Sequence, residues 1–230
     1  MKSVPTMTCA ELRQYDARAI AGGIPGIVLM ESAARGACDL LLAQKVTGPV
    51  GVVVGKGNNG GDGLVIARHL VDRGYRTHVE LLVDPAAFVG DALLAYRAAA
   101  FVNVPFHSAW TDASTMCGRL ASCEWIVDAI LGTGSTGPAR KPMSDAIRII
   151  NQAGKRVLAI DLPSGLDGDV GTAHEPTIHA NLTATFVAMK KGFLSKEAPN
   201  YLGEVHVIPI GAGNPFVPTS TPPEISDRLA

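Results

Sequence analysis

Three polar, glycine-rich segments hold the residues of this chain best suited to chemistry, and each follows an apolar run directly. Gly55-Lys56-Gly57-Asn58-Asn59-Gly60-Gly61-Asp62-Gly63 follows Val50 to Val54. Gly132-Thr133-Gly134-Ser135-Thr136-Gly137 follows Trp125 to Leu131, and Asp161-Leu162-Pro163-Ser164-Gly165-Leu166-Asp167-Gly168-Asp169 follows Arg156 to Ile160. In the first segment, glycine and asparagine tolerate left-handed backbone angles, so the loop can turn several N–H groups toward one point. A helix expected from Leu64 adds the positive end of its dipole, which favours an anion there, most naturally a phosphate.

Loops like these need a scaffold that brings them together. Apolar strands alternate with amphipathic helices along the chain, the pattern of a three-layer, Rossmann-like, doubly wound α/β fold: a mostly parallel sheet with helices on both faces. Thr8-Cys9-Ala10-Glu11 reads as a capping box opening a first helix with Leu12, Tyr15 and Ala19 on one face. A second helix follows Pro25 and runs toward Lys45. Strands are expected at 50–54, 77–83, 125–131, 156–160, 183–189 and 203–210. Further helices are expected at 64–73, 91–101, 112–120 and 143–152. In such a sheet ligands bind beyond the carboxyl ends of the strands, so the three loops predict one shared cleft.

At 230 residues and 47% hydrophobic, the chain can bury a complete core as one domain. Residues 1–213 read as that domain. Residues 214–230, rich in proline, threonine and serine, read as a flexible tail. A net charge of −1 and a pI near 6.6 provide no field for nucleic acid or an anionic membrane. No apolar run reaches membrane-spanning length and no signal pattern opens the chain. Cys9, Cys38, Cys117 and Cys123 form neither a CxxC pair nor a zinc site, which fits small core residues in a reducing, cytoplasmic setting. The six histidines lack metal spacing and read as surface or packing residues.

Two segments match the dinucleotide fingerprint literally, Gly55-x-Gly57-x-x-Gly60 and Gly132-x-Gly134-x-x-Gly137, with Glu80 near the place of a ribose-binding acid. A helix starting only at Leu64 argues against that reading, because the third fingerprint glycine packs inside a helix already under way. No Gly-Lys-Ser/Thr of a P-loop is present. Leu162 stands where a nucleophile elbow around Ser164 needs glycine.

Taken together, Gly57 to Gly63, Val127-Asp128-Ala129, Gly132-Thr133-Gly134, Asp161-Leu162-Pro163-Ser164-Gly165 and Lys190 resemble the YjeF N-terminal domain family, the NAD(P)H-hydrate epimerases. The resemblance runs from Tyr15-Asp16 and Leu29-Met30-Glu31 to Gly203-Glu204-Val205. Ser32 stands where asparagine is frequent and Asn181 where aspartate is usual; neither belongs to the expected catalytic set.

The resemblance implies repair of hydrated nicotinamide cofactors. The R and S hydrates of NADH and NADPH would be interconverted so that an S-specific dehydratase, here expected as a separate protein, can act. Loss of hydroxide from ring carbon 6 leaves a cation that water attacks from the opposite face, and a nearby carboxylate can move the protons. Asp161 is the candidate, against a purely structural role capping the turn at Pro163-Ser164-Gly165. Substrate binding is implied for Asn58, Asn59, Gly60, Gly61 and Asp62, and for Gly132, Thr133, Gly134, Ser135, Thr136, Gly137 and Pro138. Asp161 contacts substrate too, and Lys190 either pairs with an anionic substrate group or is an exposed structural lysine. A potassium ion is implied at Asn59, Asp128 and Ser164, whose oxygens suit a hard cation. A homodimer is expected, through aliphatic faces of the first two helices. The alternatives are an NAD(P)-dependent oxidoreductase and a non-catalytic interaction module of the same fold.

Overall fold

The computed structural model describes residues 6–216. In chain order the elements are β1 (Thr6–Met7), α1 (Cys9–Ala21), α2 (Gly26–Leu42), β2 (Val50–Val54), α3 (Asn58–Asp72), β3 (Thr77–Leu81), α4 (Gly90–Phe101), β4 (Phe106–Ser108) and α5 (Cys117–Ala121). There follow β5 (Trp125–Ala129), α6 (Met143–Gln152), β6 (Arg156–Ile160), β7 (Leu182–Phe186), β8 (Met189–Lys190), α7 (Pro199–Leu202) and β9 (Glu204–Ile208). Most of the expected tail, residues 217–230, lies outside the described residues.

Seven strands form one sheet in the order β4-β3-β2-β5-β6-β7-β9, and every neighbouring pair is parallel. The sheet is doubly wound as expected. The chain works outward from β2 in one direction, then returns to lay β5 on its other side. Strand order therefore reverses between β2 and β5, where the ends of two neighbouring strands leave a crevice.

Period-two alternation sends side chains to both faces. Val50, Val52, Val54, Trp125, Val127, Ala129, Leu158 and Ile160 face the core beneath α2, α3 and α4. Val53, Ile126, Ile130 and Val157 face the opposite core with Leu120, Ile147 and Ile150 of α5 and α6. Asp128 belongs to this second row, and it is fully buried.

Two local expectations fail for tertiary reasons. The helix expected from Leu64 begins six residues earlier, at Asn58, and none of residues 55–63 has a positive φ. Gly55, Gly60, Gly61 and Gly63 serve close packing. A Cβ on Gly60 would sit 1.9 Å from the Gly55 carbonyl oxygen, and one on Gly61 would sit 2.6 Å from Met30 Cε. The second miss is at the sheet's margins. The expected strand 183–189 ends at Phe186, and its last residue pairs elsewhere: Thr6↔Met189, with Met7↔Lys190 next to it, joins β1 to β8 across nearly the whole chain. β4 is also additional, a short edge strand beside β3.

Candidate active site

A cleft of about 500 Å³ opens at the strand-order reversal. Its floor is built where β2 and β5 end level with one another, Val54 beside Ala129. The chains leaving them run so close that a Cβ on Gly55 would lie 2.2 Å from the Ile130 carbonyl oxygen. α3 starts at once. Its N-cap is Gly57, which offers no side-chain cap, so the first-turn N–H groups remain available to an acceptor.

Asp161 follows β6 in a tight turn. Leu162 N–H donates to the Ile160 carbonyl at 2.9 Å, with Asp161 at φ 69, an uncommon region for a residue with a side chain. The turn aims the carboxylate into the cleft. Its Oδ2 accepts from Thr133 N at 3.3 Å, and its Oδ1 accepts from Lys190 Nζ. It does not cap the Pro163-Ser164 turn; Asp128 does, accepting from Ser164 N at 2.8 Å.

Lys190 is neither exposed nor free. It is completely buried, and its ammonium is shared between Asp161 and Thr185 Oγ1, the latter at 2.6 Å. A second tight turn puts it there: Ala188 N–H donates to Phe186 O at 2.7 Å around Val187 at φ 67. This brings the chain to β8, which β1 then holds.

Two more carboxyls share this space. Burial raises Asp62 well above the ordinary aspartate range, and Asp161 and Asp16 add to the effect while Lys190 opposes it. Asp16, on α1, is raised by burial first and by Asp161 second, again opposed by Lys190. Asp62 and Asp16, both raised by burial, hold a proton more readily than ordinary aspartates, so the cleft wall carries carboxyls able to give one.

Of the expected substrate-binding residues, Asn58, Asn59, Asp62, Gly132, Thr133, Gly134, Ser135, Asp161 and Lys190 line the cleft. Gly60 and Gly61 do not, being buried packing positions. Thr136, Gly137 and Pro138 also lie outside its wall. The loop has turned by then, and Gly137 instead borders a small pocket with Leu162 and His174.

Asn59, Asp128 and Ser164 lie at adjoining strand ends with unequal needs. Ser164 Oγ donates to Asp128 Oδ1 at 2.6 Å and accepts from Leu131 N at 2.9 Å, so those two residues satisfy each other. Burial, opposed by the Ser164 and Ile130 hydrogen bonds, pushes Asp128 up to about 6. Asn59 is buried, with neither its Oδ1 nor its Nδ2 partnered among the described residues. Among the described residues no cation pairs with the buried Asp128 carboxylate, which with the unpaired Asn59 amide oxygen makes a donor set that a hard monovalent cation fits. No cluster of three or more His, Cys, Asp or Glu suited to a metal occurs among the described residues.

The sequence reading missed Arg13, Asp16, Lys56 and Asp91, all on the cleft wall. Arg13 NH1 donates to Thr133 O at 3.1 Å, strapping α1 to the loop after β5. The available signal was Asp16 itself. It sits between Leu12 and Ile20 at helical spacing, a carboxyl on the stripe of α1 that turns inward.

Glu80, the residue at the ribose-acid spacing, lies elsewhere. Fully buried, it accepts two hydrogen bonds from Arg119. That position removes the dinucleotide-fingerprint reading, although α3 is already under way at Gly60. The cysteines are all free; Cys117 is exposed and the other three are buried. Among the described residues no helix is long and apolar enough to cross a membrane.

The fold and site define a Rossmann-like α/β domain whose cleft opens at the topological switch point and is lined on one side by the buried Asp161–Lys190 ion pair. The family described as YjeF-related protein N-terminus matches residues 26–192, and the chain belongs to it. The NAD(P)H-hydrate epimerase of Pirellula staleyi is 45% identical over 202 residues, covering 86% of this chain and 89% of that protein. The NAD(P)H-hydrate epimerase of Rhodopirellula baltica is 37% identical, covering 90% and 85%. A bifunctional NAD(P)H-hydrate repair enzyme of Coxiella burnetii is also 37% identical, but the match covers 41% of its length. The crystal structure of yeast ynu0 (YNL200c) superposes with a TM-score of 0.76 at 23% identity, over 94% of this chain and 90% of that one, which shows the shared fold.

Proposed function

We propose that this protein is an NAD(P)H-hydrate epimerase, interconverting the R and S hydrates of NADH and NADPH. The observation that carries the reading is the buried Lys190 holding Asp161 at the cleft, in a chain with 45% identity to an epimerase. Asp161 transfers the proton at ring carbon 6 as hydroxide leaves or water adds. Lys190 keeps its carboxylate in place and offsets its charge. The substrate's phosphates lie against the uncapped first turn of α3 and the 132–135 loop, with Lys56 and Arg13 at the wall.

Asn59, Asp128 and Ser164 would hold a potassium ion, which supplies positive charge beside the buried Asp128 carboxylate. The fused repair enzyme among the relatives supports an S-specific dehydratase as functional partner. Exposed Val28 on α2 supports a homodimer through the first two helices. Four free cysteines support a cytoplasmic setting.

The test follows R-hydrate consumption with an S-specific dehydratase present, with and without this protein, since uncatalysed racemisation sets the background. Acceleration above that background is expected, with no net redox change. Asp161→Asn should lower the rate on the order of 10²- to 10⁴-fold while binding changes much less. No acceleration by the parent protein overturns the assignment. A change in nicotinamide absorbance with a second substrate would favour an oxidoreductase.

A further inference from the structure

Epimerisation, as proposed above, makes a stereochemical demand that one carboxyl fixed on one wall does not meet. Hydroxide leaves from one face of the ring carbon and water returns to the other, so a proton must be moved on each face. Four carboxyls line the cleft: Asp16, Asp62, Asp91 and Asp161. Asp161 comes from the end of β6, and Asp62 from the first turns of α3 that continue β2, so both belong to the strand-end floor. Asp91, at the start of α4, packs on the backbone of Gly26. Asp16 differs from all three. It comes from α1, whose Leu12, Asp16 and Ile20 stripe makes a separate wall of the same cleft. Its half-buried carboxyl has no hydrogen-bond or ion-pair partner among the described residues, yet it lies near enough to Asp161 and Lys190 to feel both charges.

We propose that Asp16 is a second catalytic acid–base residue, serving the ring face opposite the one that Asp161 serves. In one direction the C6–O bond breaks with its electron pair going to oxygen, which takes the proton of Asp16 and leaves as water. The ring nitrogen lone pair forms the N1=C6 bond of the cation. A second water adds its lone pair to C6 from the Asp161 side, the N1=C6 pair returns to nitrogen, and the released proton goes to the Asp161 carboxylate. The reverse reaction uses the same two groups with their roles exchanged. A proton passed back through solvent resets the pair, and no oxidant or reductant is needed.

Oxygen exchange separates this scheme from one acid acting alone. Each purified hydrate is incubated with enzyme in heavy-oxygen water, and label is measured by mass spectrometry in the recovered starting epimer and in the inverted one. With the parent protein both should take up label. Asp16→Asn should slow inversion in both directions by about 10²-fold or more, while one of the two hydrates, the one whose hydroxyl faces Asp161, still exchanges oxygen with retention. Asp161→Asn should leave exchange with retention only in the other hydrate. Asp16→Ser, giving the same pattern at parental melting temperature, checks that packing is not the cause. Near-parental inversion by Asp16→Asn overturns the proposal, as does joint loss of exchange in both hydrates with the fold intact. A parent protein that neither inverts nor exchanges refutes the epimerase reading itself, a distinguishable result.

Discussion

The Lys190 ammonium donates to the Asp161 carboxylate from across the strand ends, with Lys190 completely buried and the Asp161 side chain 14% exposed. Asp161 lies within a tight turn of positive φ just past β6, and Lys190 belongs to β8, which follows a second such turn at Val187 and is secured by β1.

Removing one partner of such a pair leaves the other buried and uncompensated, at a cost of about 3–5 kcal/mol. Lys190→Met should therefore lower unfolding stability by that order in urea titration, and abolish epimerisation. Asp161→Asn added to Lys190→Met should recover part of the stability, because the stranded carboxylate is gone, without recovering activity. A double variant no more stable than Lys190→Met would show that the pair's charges are not what the fold depends on.

What the sequence made legible was local. Val50 to Val54, Arg156 to Ile160 and the helix 143–152 were read with their correct bounds, since an apolar run between turn signals, or apolar residues at helical spacing, declares itself within a few residues. The capping box at Thr8 and Glu11 also needs only its own four positions, and it is present. What stayed hidden depends on distant partners. Gly60 and Gly61 look like loop glycines until Gly55 and Met30 are placed against them. The burial of Lys190 needs Met7, from the other end of the chain, as its strand partner. The orphan amide of Asn59 likewise becomes visible only when the surrounding loops close over it.

The packing role of those glycines separates two substitutions that sequence alone would treat alike. A Cβ on Gly61 meets the flexible end of Met30 first, at 2.6 Å and 2.8 Å, and the Ala92 Cα at 3.2 Å. One on Gly60 meets backbone oxygen at 1.9 Å, which cannot swing aside. Gly60→Ala should cost more stability than Gly61→Ala, the latter within the range of about 1–3 kcal/mol usual for overpacking. Met30→Ala should rescue Gly61→Ala and not Gly60→Ala. Equal urea midpoints for the two single variants would contradict this account.

Acid should reveal a separate pair far from the cleft. Burial raises the Glu80 carboxyl, but two hydrogen bonds from Arg119, its guanidinium charge and the His78 ring 3.4 Å away outweigh it, so the pKa ends below its ordinary value. A carboxyl depressed on folding adds stability that is fully present above its unfolded pKa, about 4.3, and is lost as pH falls through the lower folded value. Glu80→Gln should therefore cost about 2–3 kcal/mol near neutral pH, and the gap from parent should shrink on titration below the unfolded value. A gap that is constant down to acid unfolding would mean that shape, and not charge, is what Arg119 requires. Epimerisation near neutral pH should be little affected.

The cation prediction can be read without any turnover measurement. Among the described residues Asp128 is buried without a positive partner, its pKa pushed up to about 6, and the Asn59 amide is unpaired. An ion bound only by the folded state stabilises it by about 2.7 kcal/mol at a hundred times its dissociation constant. Potassium chloride should therefore raise the melting temperature above that in choline chloride at equal ionic strength, where general screening is matched. Asp128→Asn and Asn59→Ala should each remove this increment, though for different reasons: the first takes away the charge that needs offsetting, the second a ligand oxygen. Gly48, held by Glu124 at the opposite end of the sheet, offers a control position whose substitution should leave the increment intact. Identical melting in the two salts, or a potassium-soaked crystal with only water among Asn59, Asp128 and Ser164, would remove the ion from the site and leave Asp128 as a cap on the Ser164 turn.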